Sequence, residues 1–222
     1  MTPKDPIAGI ILAAGMSKRF GSPKQLLKVG GEFIINRVVD AALNSLLDSV
    51  TLVLGHCHEQ ILPVLGARAG APDLKVVIIH DYREGLSRSL HRGVLSIRSH
   101  YSACMFLLGD QPLLTPETIN HLIAQYRLSA KDICVPLYRE KRKNPTLFSR
   151  RYYDRLLAIE GDVGARAIID DEPEKVLFVP TDRPNDFQDV DTPDDLVLAE
   201  SLFQEIRKIQ HQVRKDHQDD HT

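Results

Sequence analysis

No apolar run in this chain approaches the roughly 18 residues that a membrane-spanning helix needs. The opening Met1-Thr2-Pro3-Lys4-Asp5-Pro6 carries no apolar core of the kind a secretion signal has. The expectation is therefore a cytoplasmic protein with no membrane partner. Cysteine is scarce: Cys57, Cys104 and Cys134 are odd in number and far apart, which excludes a disulfide framework. Cys104 and Cys134 sit inside apolar runs and read as buried, reduced thiols. Nor is there an excess of positive charge. With 28 Lys and Arg against 30 Asp and Glu, the net charge of −2 argues against a general nucleic-acid binder, while leaving room for a local basic cleft. Repeats, long linkers and low-complexity segments are missing, and 222 residues suffice for one core but hardly for two. One domain over 1–207 is expected, with a polar, frayed tail over 208–222. Finally, both standard phosphate motifs are absent, since no Gly-Lys-Ser/Thr loop and no Gly-x-Gly-x-x-Gly occurs.

What is present is a run from Ile7 to Lys24 that passes from a β-branched strand into a loop of small residues and then two spaced cations. Ala13, Ala14 and Gly15 carry almost no side chain, so backbone N–H groups can approach a phosphate, and Gly15 can supply a positive φ. Arg19 can fork across phosphate oxygens, and Lys24, after the helix-breaking Pro23, can add a point charge. The alternative reading is a tight strand-to-helix turn with two solvated cations.

Five further strands are expected at 50–54, 74–79, 103–108, 133–137 and 176–180, separated by helical periodicities, which gives a three-layer α/β/α sandwich with a mostly parallel, Rossmann-like sheet. The run 103–108 is apolar throughout and belongs at the centre of the sheet. It delivers Gly109-Asp110-Gln111-Pro112 at its carboxyl end, where ligands bind in open α/β sheets. There Asp110 can hold a hard cation on a triphosphate, or serve as an ordinary turn residue. Ser87 and Ser89 stand near a helix start, where hydroxyls usually cap. The basic run 139–143 reads as a solvated loop or as part of a binding surface. Asp189 and Asp191 are two apart in an extended segment and share a face, while Thr192, Pro193 and Asp195 form a strong helix start.

The pattern Leu12-Ala13-Ala14-Gly15-x-Ser17-x-Arg19-x-Gly21-x-x-Lys24 resembles the signature of MobA-like nucleotidyltransferases. Its Ala-Ala-Gly form, followed by Pro23-Lys24-Gln25-Leu26-Leu27, is most similar to the molybdenum cofactor (molybdopterin) cytidylyltransferase branch. The resemblance runs from about Ile7 to about Phe203. It implies transfer of a nucleotidyl group, CMP from CTP, onto a phosphate-bearing acceptor such as molybdopterin, with pyrophosphate released and Mg²⁺ as cofactor. A molybdoenzyme or its chaperone is the implied partner. Sugar-phosphate or isoprenoid-precursor transferases, and a non-catalytic nucleotide-binding delivery module, are the alternatives. By the same resemblance, Arg19, Lys24 and Asp110 are catalytic. Leu12, Ala13, Ala14, Gly15, Ser17, Arg19, Lys24, Ser87, Ser89, Gly109 and Asp110 bind nucleotide, and Asp110 and Asp191 hold the metal. Asn144, Pro145, Asp162 and Arg166 bind the acceptor. Where the cytidylyltransferase branch usually shows Gly-His-Pro, this chain has Lys143-Asn144-Pro145.

Overall fold

The computed structural model describes residues 5–16, 20, 22–161 and 164–219, with side chains to Gln212. Ser17, Arg19 and Asp162, three of the expected site residues, lie outside the described residues.

The chain begins with β1 (Ile7–Ala13), the small hairpin β2 (Lys28–Val29) and β3 (Glu32–Phe33), and α1 (Ile34–Leu43). Next come β4 (Ser49–Leu54), α2 (His58–Val64), β5 (Leu74–Ile78), α3 (Leu86–Ile97), β6 (Ala103–Leu108) and α4 (Pro116–Leu128). They are followed by β7 (Ile133–Tyr138), β8 (Lys141–Arg142), β9 (Thr146–Ser149), α5 (Tyr153–Leu157), α6 (Arg166–Asp171), β10 (Val176–Pro180) and α7 (Pro193–Asp219). The main sheet runs β10-β7-β9-β6-β1-β4-β5, with β8 off this path and paired antiparallel to β7 as a hairpin. β1 lies between β4 and β6 and is parallel to both, so the small-residue loop leaves the middle of the sheet.

Alternation along β1 explains the three layers. Ile7, Ile11 and Ala13 face a core built with Val38 and Ala42 of α1, Ile61 of α2 and Ile119 of α4. Ala8 and Ile10 face the opposite core, which contains Leu90 and Val94 of α3, Leu156 of α5 and Ile168 of α6. A strand buried on both faces needs no polar alternation, and a parallel strand in such a sheet reads as a continuous apolar run. All six expected strands are present. The buried thiols are also where the apolar runs put them: burial pushes the Cys134 thiol up to about 12, and it pushes Cys104 above its usual value too.

Two findings depart from the sequence. β9 is a seventh strand of the main path, inserted antiparallel between β6 and β7, in register Cys104 with Phe148 and Cys134 with Leu147. It is four residues long and follows Pro145, so no periodicity distinguishes it from a loop. Secondly, α7 continues through Lys208 to Asp219, where the sequence shows no apolar pattern and residues 208–212 are exposed. Its start is the expected capping box: Asp195 Oδ2 accepts from the Thr192 N–H at 2.8 Å, and Thr192 Oγ1 accepts from the Asp195 N–H at 3.3 Å. No helix among the described residues is long and apolar enough to cross a membrane.

Candidate active site

Three segments converge at the carboxyl ends of β1 and β6. Gly109 N–H donates to the Leu12 carbonyl at 3.0 Å, closing the two strand ends together. A Cβ on Gly109 would lie 2.7 Å from the Ala13 methyl, so only glycine permits this approach. Lys24 opens a single 3₁₀ turn, Lys24–Leu26, and the buried Gln25 beside it donates from Nε2 to the Ala13 carbonyl at 3.2 Å, tying that turn to the loop. The third segment is pinned by Val190 N–H, which donates to the Asp110 carbonyl at 3.0 Å, and by Gln111 Nε2, which donates to Asp189 Oδ1 at 2.8 Å.

The outcome is a cluster of carboxylates around one ammonium. Lys24 Nζ donates to Asp110 Oδ2 and, at 2.9 Å, to Asp191 Oδ1. The side chains of Lys24 and Asp110 are each only 16% exposed, which corrects the reading of Lys24 as a solvated cation. Burial opposes the charge on Lys24, but the two carboxylates outweigh it and raise its pKa. Asp189 is pushed up to about 6 by burial and then by the charge of Asp110, with the Gln111 hydrogen bond opposing the shift. Asp110 Oδ1 is buried and accepts no hydrogen bond among the described residues. Two carboxylates spanned by an ammonium, one with an unused buried oxygen, form a donor set that fits a hard divalent cation. Among the described residues no group of three or more His, Cys, Asp or Glu could hold a metal. A cation here would therefore complete its coordination with substrate oxygens and water, as Mg²⁺ usually does.

A cavity of about 490 Å³ opens beside this cluster, and Leu12, Ala13, Ala14, Gly15, Lys24, Ser89, Gly109 and Asp110 all line it. Its volume lies in the range of small-molecule sites. Gly15 does not adopt a positive φ, contrary to expectation, and a Cβ there would meet nothing within 4 Å. Its contribution is open space above the backbone. A second cavity of about 160 Å³ shares Leu12, Leu86 and Leu108 with the first and is lined by Asn144 and Arg166. Ser87 and Pro145 are buried and line neither of these two cavities. The sequence reading missed Tyr82 and Arg83, which with Glu84 form a single 3₁₀ turn on the wall of the first cavity, and left Arg142 and Lys143 of the second as an open alternative. No local pattern marks these residues, since only strand order brings them to the site.

Residues 9–183 match the MobA-like NTP transferase domain. The chain belongs to that family. Among relatives of this nucleotidyltransferase family, the purine catabolism protein PucB of Bacillus subtilis is 30% identical over 73% of this chain and 80% of its own. The nicotine blue oxidoreductase of Paenarthrobacter nicotinovorans is 28% identical over 84% of this chain and 92% of its own. Among solved structures, Rv0371c from Mycobacterium tuberculosis superposes with a TM-score of 0.77 at 28% identity, covering 90% of this chain and all of that one. A manganese complex of Rv0371c superposes with a TM-score of 0.73 at 27% identity, covering 88% of this chain and 98% of that one. A molybdenum cofactor guanylyltransferase is also among the relatives, a probable one from Thermococcus sibiricus, 25% identical over 62% of this chain and 65% of its own.

Proposed function

We propose that this MobA-like protein transfers CMP from CTP to the phosphate of a molybdopterin-type acceptor in the cytoplasm and releases pyrophosphate. The observation that carries the reading is the junction of two cavities along Leu12, Leu86 and Leu108, with the Lys24–Asp110–Asp191 cluster at its edge. A group-transfer enzyme of this kind needs a place for each substrate and a charged device between them.

The roles follow from position. The larger cavity takes the nucleotide, with the backbone of 13–15 over its phosphates and Ser89 and Tyr82 toward the nucleoside. Asn144 and Arg166 face the acceptor in the smaller cavity. An acceptor phosphate oxygen attacks the α-phosphorus in line, a new P–O bond forms, and the bond to pyrophosphate breaks. The acceptor is already ionised, so no general base is needed, and the protein's work is positioning and charge stabilisation. Lys24, with Arg19, offsets charge on the departing pyrophosphate. Asp110 and Asp191 would hold Mg²⁺, which supplies positive charge to the triphosphate when bound. The product would pass to a molybdoenzyme or its chaperone. The molybdenum link draws support from the guanylyltransferase relative, and the choice of CTP from the Ala-Ala-Gly loop. Ala14 acts on the base through the wall, because its methyl, Gly55 and Tyr82 meet where a Gly55 Cβ would come within 2.9 Å of the methyl.

The test is pyrophosphate release with CTP, GTP and ATP, each crossed with molybdopterin, a sugar 1-phosphate and 2-C-methylerythritol 4-phosphate in Mg²⁺. Turnover with CTP and molybdopterin above all other pairs is expected. Preference for GTP would reassign the base, and nucleotide binding without turnover on any acceptor would make the protein a delivery module.

A further inference from the structure

The smaller cavity has an unusual division of polarity. Its walls include Leu90, Phe106, Val135, Phe148 and Ile169, and of its two neutral polar side chains Thr146 donates from Oγ1 to Asn144 Oδ1 at 3.2 Å. Its charge is at the mouth. Arg142 is paired with Asp170 and stacks over Phe178, and Arg166 is exposed. Lys143 differs from both. It is half-buried, its backbone N–H is fixed to the Pro136 carbonyl at 2.9 Å, and its ammonium makes no ion pair within 4.0 Å among the described residues. It lines the second cavity beside Asn144, and that cavity meets the first along Leu12, Leu86 and Leu108.

An acceptor phosphate reaching this junction brings negative charge toward a triphosphate and two carboxylates, and Lys24 is already engaged with those carboxylates. A cation approaching from the acceptor's side offsets that repulsion. The apolar walls meanwhile offer burial to an apolar or aromatic group, whereas hydroxyls set against Leu90, Phe106, Val135, Phe148 and Ile169 would be desolvated without a partner. We propose that Lys143 receives the acceptor's phosphate, and that the part of the acceptor entering this cavity is an apolar or aromatic ring rather than a hydroxyl-rich sugar. This rests on the two-substrate reading of the same site and names the residue that reading leaves open.

Phenyl phosphate and glucose 1-phosphate serve as probes, titrated calorimetrically into the full chain with Mg²⁺ and the non-hydrolysable α,β-methylene CTP. The wild type is expected to bind phenyl phosphate and to bind glucose 1-phosphate at least about 10-fold more weakly. Lys143→Met should weaken phenyl phosphate by about 10- to 100-fold, the range of a lost charge-assisted hydrogen bond. Lys143→Arg should restore most of the binding, and both variants should keep the wild-type affinity for the CTP analogue, which separates a binding role from a folding defect. Unchanged phenyl phosphate binding in Lys143→Met, equal binding of the two probes, or no binding of phenyl phosphate to the wild type each overturns the proposal. If phenyl phosphate binds through Lys143 while the CTP analogue does not bind, the inference stands and the cytidylyl reading falls.

Discussion

At the scale of single residues, Asp110 combines a short backbone reach with heavy demands. It ends the central β6 segment, engages Lys24 through one oxygen and leaves the other buried and, among the described residues, unpaired. Asp110→Asn keeps the shape but removes the charge that balances Lys24 and would attract a cation. Turnover should fall by about 10²–10³, the usual loss for one electrostatic contact to a transition state, while circular dichroism stays native. A variant with near-normal turnover in Mg²⁺ removes Asp110 from the mechanism. Asp186 is a different kind of buried carboxylate. It accepts from Thr115 Oγ1 at 2.7 Å and from Thr118 Oγ1, and so secures the start of α4. Burial raises its pKa above the ordinary 3.8, and the two threonine hydrogen bonds oppose the rise. A raised carboxyl pKa means that the folded state binds the proton more tightly than the unfolded chain. Its contribution to stability is therefore greatest at low pH and declines as pH rises from about 3.8 through the folded value. In urea titrations between pH 4 and pH 7, the stability of wild type relative to Asp186→Asn should fall as pH rises and then level off. A difference that grows with pH would reverse the sign and refute this reading.

At the scale of elements, β9 builds part of the second cavity, which the proposed function gives to the acceptor, since Thr146 and Phe148 line it. By entering antiparallel between β6 and β7 it separates β7, with its β8 hairpin, from the parallel strands around β1, and it opens the space that becomes the second cavity. Its two central residues point to opposite cores, Leu147 to the one under α1 and α4, Phe148 to the one under α3 and α5. Leu147 is wholly buried and does not line the cavity, so it tests the strand without touching the site. Leu147→Ala should cost about 2–5 kcal/mol, the range for a buried Leu-to-Ala cavity, with nucleotide affinity retained in the folded fraction. A loss below about 0.5 kcal/mol, the level of a surface change, would mean that β9 is peripheral.

Over the whole molecule, the proposed base choice would belong to an assembled wall, since Ala14 of the first loop and Tyr82 after β5 line the first cavity and both pack on Gly55 after β4. A wall difference of one methyl is worth only about 1–3 kcal/mol, so kcat/KM should favour CTP over GTP by about 10- to 200-fold, and Ala14→Gly should shrink that ratio. A ratio unmoved by Ala14→Gly would mean that this wall does not read the base. By itself the sequence determined the parallel α/β frame, because strands buried on both faces must be apolar throughout and the helices between them periodic. It also determined the loop after β1, the carboxylate after β6 and the capping box of α7, each of which is written in contiguous residues. Only the tertiary structure decided that Lys24 lies largely buried between Asp110 and Asp191, that Gly15 leaves open space without a positive φ, that Ser87 lines neither cavity, and that Tyr82 and Arg83 line the first cavity and Lys143 the second. Those outcomes depend on strand order and on a four-residue antiparallel insertion, and contacts between residues so far apart in the chain leave no periodicity within it.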